Sequence, residues 1–323
     1  MSSTPAASIS DAFDFLAAVQ APFRMQPGLR RLAEGSHQLH PNTRDSRHLQ
    51  EKLQALGTPT PTALQCVSGY DPMPGLCALA AHAAQEQPES FGWDGERAAA
   101  RLLGWSVCGG ELRPIAGDAA PIFAVGTCLA QLPPEWRLAG LLSLAFAEDF
   151  ALIDGRTARI PWLAVALPSH WAPEQKVGLH FAQVHAPVAD NSVLLAAGEA
   201  LARLVSAPTR WERYVWTVTP RPTLNAHPVL PATAWQGGHA EAVAAQAWWR
   251  TERQTFIPVP DASLAVFTIL VDTQPLAQAI DRADKAQRLH DAIASMSPAV
   301  LQYRNLGTVR EALLDWLARR AVA

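Results

Sequence analysis

The apolar positions of this chain change period near residue 120. Before that point they recur at helical spacing. Leu49, Leu53 and Leu56 share one side of a helix that Asp45 can cap, and Ala- and Leu-dominated patterns predict further helices at 76–84 and 95–104. A polar lead precedes a short apolar segment from Phe13 to Val19, and the Pro-rich stretch at 57–75 reads as irregular. Beyond 120, strand patterns dominate. An apolar run at 138–153 meets the turn Asp154-Gly155, and a second run follows from Arg159 to Leu167. The pair reads as a hairpin, with 138–146 open to a helical reading. β-branched and aromatic residues mark strands at 211–219, 246–258 and 263–272. Helices are expected at 173–182, at 191–206 with Leu194, Leu195, Leu201 and Leu204 inward, and at 275–294 and 308–320. The order of elements predicts an α+β chain: a helical, irregular portion at 1–120 packed on an antiparallel sheet with inserted helices, and a helical tail.

Composition narrows the function classes. The 323 residues are 49% hydrophobic and 17% charged, enough for a substantial core. A net charge of −3 with no basic run argues against nucleic acid or an anionic membrane as partner. No uncharged apolar run is long enough to cross a bilayer, and the first residues lack the pattern of a signal peptide. The cysteines at 66, 77, 108 and 128 form no C-x-x-C, so they read as small buried hydrophobes in a reducing cytoplasm. Walker, G-x-S-x-G, G-x-G-x-x-G and H-E-x-x-H motifs are absent, which leaves nucleotide, hydrolase and zincin readings without support.

Five places carry candidate chemistry. His185 precedes Ala-Pro-Val, and Pro187 fixes the chain direction just after the imidazole. A histidine held that way serves either as a metal ligand or as an ordinary end of a helix. At 248–256, alternation sets Arg250, Glu252 and Gln254 on one face and Trp249, Thr251, Arg253 and Thr255 on the other. The first face is either the solvated side of a sheet or a polar site where arginine binds a carboxylate and glutamate a cation. Glu148 and Asp149 break an apolar run and alternate in direction, so one of them points inward, where a carboxylate must be paired, protonated or functional. Lys176, one of few lysines, is either a surface residue or a contact to an anionic cofactor. The pair His37 and His40 has ligand-like spacing without a further partner.

The segments PFRMQPGLRRL at 22–32, AEDFALID at 147–154, PSHWAPEQKVGLHFAQVHAPV at 168–188, RYVWTV at 213–218, RTERQTF at 250–256, AVFTI at 265–269 and SPAVLQYRNL at 297–306 stand in this order. Together they resemble the α-subunit family of haem-dependent oxidative N-demethylases. The resemblance implies a PAS-like antiparallel sheet over 121–323 that holds haem b. It also implies oxidation of dimethylamine or a similar secondary amine with dioxygen, releasing formaldehyde. Electrons from NADPH would arrive through partner subunits carrying flavin mononucleotide and an iron–sulfur cluster, and a tetrahydrofolate-binding subunit would capture the formaldehyde.

Carried onto this chain, the resemblance makes His185 the axial ligand and places Arg213, Arg250, Arg253, Lys176 and Trp171 around the cofactor. Glu148 or Glu252 would pair with the substrate ammonium. The chain departs from the family pattern at Val215, where an asparagine is usual, and at Ala147, where a glutamine is common. Two alternatives stay open: a non-catalytic haem protein that senses a gas or ligand, and a haem-free relative.

Overall fold

The computed structural model describes residues 9–58, 62–116 and 120–322. It is a mixed α+β structure with two antiparallel sheets. In chain order the strands are β1 (Arg30–Arg31), β2 (Leu64–Cys66), β3 (Phe91–Trp93), β4 (Arg97–Ala100), β5 (Trp105–Cys108), β6 (Glu111–Pro114), β7 (Asp149–Asp154), β8 (Arg159–Ala164), β9 (Trp211–Thr219), β10 (Trp248–Val259) and β11 (Leu264–Pro275). The larger sheet has the order β1-β9-β10-β11-β7-β8-β2, and β3 to β6 form a separate meander.

The expected hairpins are present. β7 and β8 pair across the turn after Asp154, whose carboxylate accepts from the backbone N–H of Arg156 at 2.8 Å. β10 and β11 pair in continuous register from Trp248↔Pro275 to Val259↔Leu264. The ambiguous residues 138–146 resolve as the helix Arg137–Ala145, wholly enclosed from Leu138 to Ala145, so apolarity there reflects burial on every side. The helices expected near 45–56, 76–84, 191–206 and 308–320 appear as Arg47–Leu56, Met73–Glu86, Ser192–Val205 and Arg310–Ala321. The tail at 275–294 divides into Leu276–Ala279 and Ala283–Ala294.

Three expectations are corrected. Residues 95–104 contain strand β4: Gly95 turns the chain at φ +104, and Ala98 and Ala100 alternate inward with period two. The 173–182 helix is a single 3-10 turn, Pro173–Gln175, followed by a break at Gly178 (φ +76) and a separate helix, Phe181–His185. Its backbone is claimed by β8 instead, since Ile160 N–H donates to the Leu179 carbonyl and Gly178 N–H to the Ile160 carbonyl. In Ser192–Val205 the inward residues are Leu194, Gly198, Ala202 and Val205, while Leu195 and Leu204 are exposed.

Neither face of β10 is solvated. The face with Trp249 is sealed by the C-terminal helices, and Trp249 stacks on Trp216 with centroids 5.1 Å apart. Toward the far end of the other face, Ser192–Val205 packs on Ile153, Phe256 and Ala265. The polar residues of β10 are therefore enclosed, and each needs a partner.

Candidate functional site

The helix Phe181–His185 is specified locally. His180 caps it by accepting from Ala182 N–H at 3.2 Å through Nδ1, and the Gln183 side chain returns to His180 N–H at 3.0 Å. Pro187 ends it, and Asn191 Nδ2 donates to the His185 carbonyl at 3.0 Å. His185 Nδ1 lies 2.9 Å from the Phe181 carbonyl. A carbonyl only accepts, so Nδ1 carries the proton and Nε2 presents its lone pair. The ring stacks on Phe181 with centroids 4.0 Å apart. Burial, with Arg213 and Lys176 adding to it, pushes the His185 pKa down to about 4, so the imidazole is neutral near pH 7. This is the state in which imidazole ligates a metal.

Arg213, on β9, feels the carboxylate of Glu252, and burial pulls its guanidinium below the ordinary arginine value. Its Nε is buried without a hydrogen-bond acceptor. Glu252 lies opposite Val215 in the β9–β10 register and is 8% exposed. Its Oε2 accepts from Gln254 Nε2 at 2.6 Å, and it makes no ion pair among the described residues. Lys176 Nζ donates to the Val184 carbonyl at 3.1 Å, which sets it beside the same short helix. His185, Lys176, Arg213 and Glu252 thus form one electrostatic neighbourhood.

The other candidates have partners of their own, although Arg250 also feels the Glu252 carboxylate. Arg250, 1% exposed, donates to Ser169 Oγ at 2.9 Å and to the carbonyls of Pro168, Thr223 and Leu224 at 3.3, 3.0 and 2.6 Å. It clamps two loops to the sheet. Arg253 points to the opposite face, where Nε and the guanidinium meet Glu212 at 3.0 and 2.9 Å and Nη1 donates to the His37 carbonyl at 2.6 Å. Trp171 packs against the larger hydrophobic core. Glu148 and Asp149 are both buried. Glu148 accepts from His40 at Nδ1 (2.6 Å) and at the backbone N–H (3.0 Å), and Asp149 pairs with the buried Lys52 at 3.0 Å.

Sequence reasoning gave no role to Lys52 or Arg304 and raised His40 only as half of a ligand-like pair. His40 had ligand-like spacing to His37 as its only signal, Lys52 sits in an ordinary amphipathic pattern, and Arg304 lies inside SPAVLQYRNL without a spacing of its own. Arg304 donates to the Trp216 carbonyl, and its guanidinium lies 4.7 Å from the Phe23 ring centroid and 5.0 Å from that of Trp216. Its Nε also lacks an acceptor.

A narrow slot of about 30 Å³ separates Phe181 and the helix Ser192–Val205 from Arg213 and Phe256. A cavity of about 360 Å³, also lined by Arg213, lies along β9. No cluster of three or more His, Cys, Asp or Glu could hold a bare metal ion among the described residues. What the His185 neighbourhood offers a metal is one imidazole nitrogen, which suits an ion carried in by a larger group that supplies the remaining ligands. The unsatisfied Arg213 Nε suits an acid function on that group. No helix among the described residues is long and apolar enough to cross a membrane.

The profile of the family described as haem-dependent oxidative N-demethylase, alpha subunit-like, matches residues 129–314. That span runs from before β7 to the last helix and includes His185, Arg213, Glu252 and Arg304. The chain belongs to the haem-dependent oxidative N-demethylase alpha subunit-like family.

Proposed function

We propose that the chain binds haem b through His185 and carries out oxidative N-demethylation of a small secondary amine such as dimethylamine. The observation that supports this reading most is the state of His185 within a haem-dependent family: a neutral ring, its Nδ1 proton held by the Phe181 carbonyl, and its Nε2 free. The sheet supports a PAS-like reading as well. A β7–β8 hairpin, a helical insertion and a three-stranded β9–β10–β11 meander follow in order, and the last strand returns beside the first.

Bound haem supplies the redox centre at which dioxygen is consumed. The chain's own residues then have distinct tasks. The Phe181 carbonyl fixes the tautomer and ring orientation of His185. Glu252, a buried carboxylate with Gln254 on one oxygen, offers its remaining acceptor capacity to the substrate ammonium. Between the two carboxylates raised by the sequence, Glu252 suits this role better, because His40 occupies Glu148. Arg250 and Arg253 position the loops and the sheet, and Lys176 braces the helix that presents His185. Dioxygen accepts two electrons and two protons beyond those taken from the amine, and flavin and iron–sulfur partner subunits would supply these electrons. A folate-binding partner would take up the formaldehyde, and the cytoplasm would be the site of action.

The testing experiment is a visible spectrum of protein expressed with a haem precursor, before and after titration with dimethylamine. A Soret band that shifts with amine supports the enzyme. A band indifferent to amines favours the second reading, a haem-based sensor, to which the PAS-like connectivity lends weight. No band removes His185 from its role.

A further inference from the structure

β1 pairs with β9 at only two positions, Arg30↔Glu212 and Arg31↔Trp211. Among the described residues the outer edge of β9 from Arg213 to Trp216 therefore has no strand partner, and residues 17–28 lie along it. The cavity of about 360 Å³ lies between these residues and the edge. Among the described residues four arginines line it, and no aspartate or glutamate does. Arg30 is already neutralised, by Asp14 at 2.8 Å and Glu212 at 2.9 Å, and Arg24 is exposed. The remaining two differ from these. Arg213 and Arg304 form no ion pair among the described residues, and each buries an Nε that finds no acceptor.

Each of these two side chains holds a buried Nε with no acceptor, and Glu252 acts on Arg213 only at a distance, so a desolvation cost remains that a guest of opposite charge lowers. The planar fork of each matches a carboxylate. The rest of the lining, including Phe23, Leu194, Val215 and Trp216, is largely apolar, so the guest combines acid functions with an apolar body. Arg213 also lines the slot beside Phe181, the residue that orients His185. Arg213 thus borders both spaces, and an acid group bound to it is in reach of each.

We infer that Arg213 and Arg304 form a carboxylate-binding pair at the open edge of β9 and that they receive the two carboxylates of the haem. This rests on the haem-binding reading above and adds Arg304, which no motif singled out. Arg304 is held between Phe23 and Trp216 before any ligand arrives, so its orientation is set in advance.

The test is equilibrium titration of the full-length apoprotein with haem and with haem dimethyl ester, which keeps the ring and iron but lacks both acids. Wild-type protein should bind haem at least about tenfold more tightly than the ester. Arg213→Gln and Arg304→Gln should each lose about tenfold for haem while binding the ester as wild type does, and that unchanged ester affinity certifies an intact pocket. Arg304→Lys, which keeps the charge without the fork, should fall between. Equal affinity of wild type for haem and ester overturns the pair and leaves haem binding intact. Variants that lose haem and ester alike overturn it too, since the arginines would then act on the pocket as a whole. Wild-type protein that takes up neither compound sinks the functional reading first. Succinate titrated into that protein by calorimetry then decides the pair: binding lost in Arg304→Gln keeps it with a free acid as guest, and no heat removes it.

Discussion

Glu148 and Asp149 are adjacent in sequence, and both are enclosed. Each takes its counter-charge from the N-terminal part of the chain, Glu148 from His40 and Asp149 from Lys52. Removing one member of such a pair leaves the other charge buried and alone, so His40→Ala should cost about 3 kcal/mol in chemical denaturation. Burial opposes charge on His40, but Glu148 at 2.6 Å outweighs it and raises the pKa above the ordinary 6.5. A raised folded value means the stabilisation is complete below about pH 6.5 and fades as pH climbs through the folded pKa. The gap in unfolding free energy between wild type and His40→Gln should therefore narrow between pH 6 and 9, and a gap that stays constant would refute the pairing. His185→Ala should abolish stoichiometric haem without unfolding the protein, read by the Soret band and circular dichroism; full occupancy with an unchanged spectrum refutes ligation. Glu252→Gln should weaken amine binding by about 1–3 kcal/mol, seen as a shifted midpoint in the spectral titration.

At the scale of elements, the site depends on how the two helices of the β8–β9 insertion meet. Gly198, on Ser192–Val205, faces the Phe181 ring so closely that a Cβ there would stand 2.8 Å from Cδ1. Exchanging glycine for alanine inside a helix ordinarily gains up to about 1 kcal/mol. Here the added methyl must displace the ring on which His185 stacks. Gly198→Ala should leave global stability nearly unchanged or slightly raised, yet lower haem affinity and alter the Soret band. Unaltered haem binding would show that Phe181 does not position His185. Gly126 presents a harder contact, because an added Cβ would lie 2.0 Å from the Trp105 ring, whose Nε1 is tied to the Ile122 carbonyl at 2.9 Å. Overpacking of that kind costs about 1–3 kcal/mol, so Gly126→Ala should lower the denaturation midpoint.

On the scale of the whole molecule, the sheet joins elements far apart in sequence. Helices cover the Trp249 face of β9 and β10 from the C-terminus, and the β8–β9 insertion covers part of the other. A ligand that binds only this assembled state stabilises it by mass action, about 2.7 kcal/mol at a hundredfold excess over Kd. Haem should accordingly raise the Tm of wild type by a few degrees and leave that of His185→Ala unmoved. An equal rise in both would indicate uptake elsewhere on the molecule.

What the amino-acid order determined by itself was whatever rests on neighbours a few residues apart. Asp154-Gly155 and the runs beside it specify the β7–β8 hairpin, the β-branched and aromatic runs specify β9 to β11, and Pro187 ends the helix at His185. Period and turn chemistry are local, so these were legible, as was the family through the order of its motifs. The partner of each buried charge was not. Glu148 meets His40 across 108 positions and Arg253 meets Glu212 across 41, and only the folded sheet brings them together. Tertiary pairing also overrode local propensity where β8 claimed the backbone at 178–180 and where β4 replaced a helix. It satisfied Arg250 and Arg253 with the protein's own acceptors and left Arg213 and Arg304 with unclaimed donors, because hydrogen-bond partners are assigned in space and not along the chain.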